Sequence, residues 1–228
     1  MKQYTIEPGK NAIKAVDIPA QHLGPNDVKV RVKAASLNYR DILNLQSARQ
    51  AIVPFSDGAG EVIEIGSAVT SLAVGDSVTG LFFPTWMDGP IEKGINDIAR
   101  GGGSTNGMLA EVVVGNEQSF LPYPEHLSDE EASTLPCAGL TAWHALFEHA
   151  QPAQAGQTIL LQGTGGVSIF ALQLAVALGL KTIVISSSDE KRARVEEMGA
   201  THTINYRTNP DWEKEVWELT DKKGVDMV

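Results

Sequence analysis

Residues 163–168, Gly-Thr-Gly-Gly-Val-Ser, follow directly on the apolar run Thr-Ile-Leu-Leu-Gln at 158–162 and lead into a helical pattern. A strand that feeds a glycine-rich turn opening a helix is the arrangement that cradles a dinucleotide pyrophosphate. Gly163 takes the tight turn, and Gly165 lets the backbone approach the phosphates. Thr164, Gly166 and Val167 complete the cradle, where free N–H groups and the helix dipole face the anion. The plain alternative is a tight strand-to-helix turn with no ligand. Ser168 stands where a third glycine is usual, and its small side chain is expected to disturb the packing little.

Folds that prefer NAD carry an acidic residue about 20 positions beyond such a turn, at the end of the second strand, to hold the ribose 2′-hydroxyl. Here that strand ends in Ser186, Ser187 and Ser188, with Lys191 and Arg192 close behind. A carboxylate would repel a 2′-phosphate, whereas hydroxyls and nearby positive charge bind one, so NADP is expected over NAD. Asp189 reads as a helix-start charge behind a Ser188 cap. Lys191 and Arg192 read equally as 2′-phosphate donors or as solvated helix charges.

The elements that position these residues are legible in the periodicity. The first part of the chain alternates apolar and polar residues over short stretches (27–35, 61–65, 73–80), as a small β-barrel or sandwich requires. Between 84 and 107 the pattern lapses into a long surface loop with three consecutive glycines, 101–103. From Ser128, with Glu131 three positions on as a capping box, the period becomes helical. Strand 158–162, helix 167–178, strand 182–186 and helix 189–198 then give βαβα order, hence a parallel sheet. In the first of these helices Val167, Phe170, Ala171, Leu174, Ala175 and Leu178 form the stripe expected to dock on the sheet. Asn209 is expected to cap a further helix with Pro210 at its first position, and 225–228 to begin another strand. The expected domains are 1–125, β-rich, and 126–228, a dinucleotide-binding domain.

Composition narrows the function classes. With 43% hydrophobic residues the 228-residue chain has enough apolar material for a core. A formal charge of −10 argues against nucleic acid or anionic membrane as partner. A single cysteine, Cys137, excludes an internal disulfide. With no signal-like start and no apolar run long enough to span a bilayer, a cytoplasmic location is expected.

Both parts together resemble the medium-chain dehydrogenase/reductase superfamily, specifically its zinc-independent alcohol dehydrogenase-like and quinone oxidoreductase-like members. The resemblance rests on AASLNYRD (34–41), PFSDGAGEVIEIG (54–66), VGDSV (74–78), LPCAGLTAWHAL (135–146), the glycine turn, and residues 189–199 followed by Ile204, Asn205 and Tyr206. It implies a GroES-like β-barrel catalytic domain followed by the first part of a Rossmann doubly wound parallel sheet, with hydride transfer in the cleft between them. In zinc-dependent relatives a cysteine, a histidine and a second cysteine hold a catalytic zinc. The matching positions here are Asn38, Ser56 and Cys137, and an amide and a hydroxyl are poor zinc ligands, so no metal is expected. Asp57 and His144 are the substitutes such a metal would have to use. Cys137 reads more simply as a small buried residue, and His144 as a helix histidine.

Without metal, hydrogen-bond donors must stabilise the negative charge on a carbonyl oxygen that receives a hydride. The resemblance implies that Asn38 and Asp41 line the substrate cleft, that Thr141 lies near the nicotinamide, and that Tyr206 approaches the adenosine phosphate. Tyr206 otherwise reads as a half-exposed aromatic at a strand end. Tyr39 is a proton donor or a packing residue, and Asp41 serves either the cleft or the start of the helix. The expected activity is hydride transfer between NADP(H) and a small carbonyl, enone or quinone. An alcohol dehydrogenase acting on a small alcohol, or a nucleotide-binding protein without catalysis, are the alternatives. Residues 1–228 are expected to be an incomplete unit, because a doubly wound fold needs six strands in two halves. A homo-oligomer is expected of the complete chain, with a small molecule as substrate.

Overall fold

A computed structural model describes every residue except Glu92 and His149. The chain forms two compact units, Met1–Cys137 and Ala138–Val228.

In the first unit, β1 (Lys2–Glu7) and β2 (Ala12–Asp17) form an antiparallel hairpin. The 27–35 alternation becomes β3 (Asp27–Ser36), followed by α1 (Tyr39–Ser47), β4 (Asp57–Ile65), β5 (Ser77–Gly80), β6 (Val112–Asn116) and β7 (Phe120–Pro122). These strands make one antiparallel sheet in the order β6-β3-β4-β5-β7, and among the described residues its edges β6 and β7 are not paired to each other. Alternation places Val28 and Val30 of β3, Val62 of β4 and Val78 of β5 in one core with Leu72, Met108 and Phe120. Gly60 is required there, since a Cβ would stand 2.1 Å from the Arg31 carbonyl oxygen on the neighbouring strand. The capping box at Ser128 forms as expected: Glu131 N–H donates to Ser128 Oγ, and Ser128 N–H donates to the Glu131 carboxylate. It starts α2 (Asp129–Ser133), which packs on β3 and β4, so the first unit runs beyond residue 125.

The stretch 84–107 is more than a surface loop. Its part from Ala99 to Gly102 is buried, and α1 grips it through backbone carbonyls. Arg40 Nη1 donates to the Arg100 carbonyl at 2.7 Å and Asn44 Nδ2 to that of Gly101 at 2.9 Å, while Gln50 Nε2, just beyond the helix, donates to that of Gly103 at 2.9 Å.

The second unit contains α3 (Leu140–Phe147), β8 (Thr158–Gln162), α4 (Gly166–Ala177), β9 (Lys181–Ser186), α5 (Asp189–Glu197), β10 (His202–Asn205) and α6 (Trp212–Leu219). The sheet is parallel in the order β10-β9-β8. Ile159, Leu161 and Val184 face α3 and α4, whereas Leu160, Ile183, Ile185 and Ile204 face Val216 of α6, so both faces are covered, as a parallel sheet demands. Three sequence expectations are corrected. The buried face of α4 is Ala171, Leu172 and Ala175; Val167 and Leu178, assigned to the docking stripe, are 40% and 48% exposed. The residue preceding α6 is Asp211, because the Asn209 side chain donates to Glu215 and its backbone N–H to the Asn205 carbonyl. Residues 225–228 make a single parallel bridge, Met227 to Ile159, rather than a full strand.

Candidate functional site

Asn38 precedes α1 in an extended conformation (φ −120°, ψ 156°). Its backbone N–H donates to Asp41 Oδ2 at 2.8 Å, and the Asp41 N–H donates back to the Asn38 carbonyl at 2.9 Å. Asp41 thus ties down the start of its own helix. The Asn38 side chain turns elsewhere: its Nδ2 donates to Asp57 Oδ2 at 2.8 Å. Asp57 opens β4, and both it and Ser56 are fully buried. Three buried oxygens at this one place, Asp41 Oδ1, Ser56 Oγ and Asp57 Oδ1, have no well-formed hydrogen bond among the described residues.

Burial pushes the Asp57 carboxyl up to about 6 against the lowering effect of the Asn38 amide and the adjacent Ser56 hydroxyl, with the nearby Asp41 charge raising it further and Arg40 opposing. Asp41 is raised for the same first reason, burial, partly offset by the Asn38 N–H and by Arg40. Burial, with the Asp57 charge added, pushes the Cys137 thiol up to about 11. The site therefore combines a carboxyl that exchanges its proton near neutrality with a thiol that stays protonated.

The fit to a catalytic zinc is poor. Its three positions offer an amide already committed to a carboxylate, a neutral hydroxyl and a protonated thiol. Among the described residues no three His, Cys, Asp or Glu side chains are placed to hold a metal ion. Tyr39, the first residue of α1, is 76% exposed and makes no hydrogen bond to the Asn38–Asp57 pair.

In the second unit the glycine turn has the geometry its sequence implies. Gly163 has φ +86°, a left-handed conformation that glycine accepts without strain, and its N–H donates to the Ile185 carbonyl at 2.9 Å. A Cβ at Gly163 or Gly165 would meet no heavy atom within 4 Å, so the space above the turn is open. Gly165 precedes α4, whose first-turn N–H groups have no intrahelical acceptor. Ser168 fits in place of the third glycine by donating its hydroxyl to the Gln162 carbonyl at 3.2 Å. The turn thus has room and donors for a pyrophosphate. Thr141 is exposed near the start of α3, the helix that packs on α4, and His144 is exposed on the same helix.

At the end of β9 the residues divide. Ser186 is 2% exposed, and its Oγ accepts from the Ser188 N–H at 3.3 Å. Asp189 accepts from Asn205 Nδ2 at 2.8 Å and Arg192 Nη1 at 3.0 Å, which hold its carboxyl below the usual range. Arg192 also donates from Nε to Thr203 Oγ1 at 3.0 Å, so its guanidinium is occupied. Half-buried Ser187, exposed Lys191 and Tyr206, 39% exposed, have no such ties among the described residues. In the sequence Asp57 and Ser56 stand out only as a neighbour and a replacement of lost metal ligands; the contact of Asp57 with Asn38, 19 residues away, leaves no local signal.

Comparison with known proteins agrees with both halves. Residues 24–125 match the alcohol dehydrogenase GroES-like domain, and 166–228 match the zinc-binding dehydrogenase family. The chain is 41% identical over 216 residues to a zinc-type alcohol dehydrogenase-like protein of Schizosaccharomyces pombe, covering 91% of this chain and 62% of that protein. It is 31% identical over 235 residues to a quinone oxidoreductase of Pseudomonas aeruginosa, covering 99% and 64%. A crystal structure assigned as an alcohol dehydrogenase of Sinorhizobium meliloti 1021 superposes with a TM-score of 0.92 at 40% identity, covering 100% of this chain and 69% of that one. The chain thus spans roughly three fifths of the length of these two curated relatives.

Proposed function

The chain belongs to the medium-chain dehydrogenase/reductase superfamily, and from that premise we propose that it is a zinc-free, NADP(H)-dependent oxidoreductase of a small carbonyl, enone or quinone. The observation that carries this reading is the open glycine turn at the start of α4. Gly163, Thr164, Gly165, Gly166 and Val167 would hold the pyrophosphate there, with Thr141 toward the nicotinamide. Ser187, Lys191 and Tyr206 would hold the 2′-phosphate; the buried Ser186 orders the turn through Ser188. The chemistry a bound nicotinamide supplies is the giving or taking of hydride at its ring.

The first unit supplies the proton and the polar contacts. A carbonyl reduced by hydride gains negative charge on oxygen, which must meet a donor and finally a proton. Asn38 gives one Nδ2–H to Asp57 and keeps the second for the substrate oxygen. The Asp57 carboxyl, fully buried and protonated up to about pH 6, positions that amide through Oδ2 and is the proton reserve of the site, its proton passing to the substrate oxygen by way of water rather than by direct contact. In this reading Asp41 positions Asn38 through the helix start, and Tyr39 closes the site from the solvent side. In the oxidative direction with a small alcohol, the same carboxylate takes the proton up.

Fluorescence titration with NADPH beside NADH, and turnover assays over a panel of quinones, enals and alcohols, test the proposal, with Gly165→Asp as the cofactor-site control. Binding of neither nicotinamide sinks it. Binding without turnover of any member of the panel would favour a nucleotide-binding protein that has lost catalysis.

A further inference from the structure

Arg100 is a buried cation that the proposed chemistry does not use. It is 4% exposed, and every partner it has among the described residues is neutral. Nε donates to the Leu81 carbonyl at 2.9 Å, Nη2 to Ser119 Oγ at 3.1 Å and to the Ser119 carbonyl at 3.4 Å, and the guanidinium lies 4.9 Å over the Phe120 ring. Among the described residues Nη1 has no hydrogen-bond partner, and no carboxylate pairs with the side chain. Burial alone pulls the guanidinium down to about 10, so it remains charged at neutral pH. A buried charge is normally paired, because leaving water is costly unless a counter-charge replaces the lost hydration.

Arg100 forms part of the wall of a cavity of about 200 Å³. The wall includes the amide-bearing residues Gln3 and Gln21 and the apolar residues Val53, Ala110 and Val112, and among the described residues no Asp, Glu or Lys. Gln21 Oε1 is buried without a partner in the same wall. Turning that amide over would replace an unpaired acceptor with a donor.

We propose that this cavity binds a small monocarboxylate, with Arg100 as its counter-ion and the Gln21 amide as a second donor. One positive charge matches a monoanion; a dianion would leave a charge unpaired in a wall with no other cation. The valine and alanine side chains suit a short hydrocarbon end, which chloride lacks. The occupant would sit against the residue whose carbonyl Arg40 of α1 grips.

Calorimetry with acetate and propionate, beside chloride and phosphate at fixed ionic strength, tests the site on the full chain. The expected result is saturable carboxylate binding at least tenfold tighter than chloride or phosphate and lost in Arg100→Gln. Thr85 is exposed at the cavity mouth, and Thr85→Phe narrows that mouth without removing any Arg100 partner. It should abolish binding at an unchanged melting temperature, which keeps the test decisive if Arg100→Gln fails to fold. Phosphate or chloride binding as tightly, no saturable binding by the wild type, or carboxylate binding that survives Thr85→Phe would each overturn the proposal.

Discussion

Replacing Asp57 with asparagine should make the protein more stable and less active at once. Burial raises the folded carboxyl from 3.8 to about 6, so the folded state binds this proton more tightly than the unfolded chain does. A raised acid contributes most to stability when protonated, and that contribution falls as pH rises from about 4 to about 6, then stays flat. Such a rise costs the folded state about 3 kcal/mol at pH 8 and about 1 kcal/mol at pH 4.5. Asparagine has the same shape, carries no charge, and can still accept from Asn38 Nδ2 through its own oxygen. Urea unfolding of both proteins at the two pH values reads the difference directly: the variant should gain up to about 3 kcal/mol at pH 8 and about 1 kcal/mol at pH 4.5. Turnover of a carbonyl substrate should fall at least about tenfold, because an amide has no proton to give. Cofactor affinity, which belongs to the second unit, should not move. A variant that is less stable at pH 8, or whose gain is independent of pH, would show that the Asp57 charge is not what burial penalises.

Three other outcomes are expected. NADPH should bind at least about tenfold tighter than NADH, a difference of about 1.4 kcal/mol, and Ser187→Asp should erase the preference in a fluorescence titration; equal affinities in the wild type would refute it. Elemental analysis of the purified protein should find no stoichiometric zinc, and one zinc per chain that disappears with Cys137→Ser would overturn the donor-set argument. Gly163→Ala should cost about 1 kcal/mol in thermal melting from its φ of +86° alone, since no atom crowds a Cβ there; a loss several times larger would point to a clash.

The parts of the fold written in local periodicity were legible. The strand before the glycine turn, the turn itself and the Ser128 capping box depend on residues a few positions apart, and they form where the sequence places them. Local pattern misleads where a distant or competing partner decides. Asn209 has the right side chain for a helix cap, but it is engaged by Glu215 and Asn205, which leaves the position before α6 to Asp211. Val167 and Leu178 continue the apolar spacing of α4, yet only the middle of that helix reaches the sheet. In the candidate site, the glycine cradle could be read from one stretch. The Asn38–Asp57 bond joins a helix start to a strand start, and nothing in either stretch announces the other.

Where the grip on the 99–103 segment comes from also says how this protein could diversify. Arg40, Asn44 and Gln50 hold backbone oxygens, which every amino acid possesses, so the hold itself is blind to the loop's side chains. Shape fixes the glycines, since Gly101 and Gly103 have positive φ and a Cβ on Gly102 would lie 2.7 Å from Arg40 Nη2, and burial fixes Ala99 and Arg100. In the neighbouring stretch, exposed Trp86, Met87 and Ile91 make none of these bonds, whereas the Asp97 carbonyl belongs to the anchor, accepting from the Ser104 N–H at 2.8 Å. The molecule thus separates an anchor that selection must keep from exposed side chains such as Trp86, Met87 and Ile91, where new surface chemistry can be tried without moving α1 and the Asn38 that precedes it.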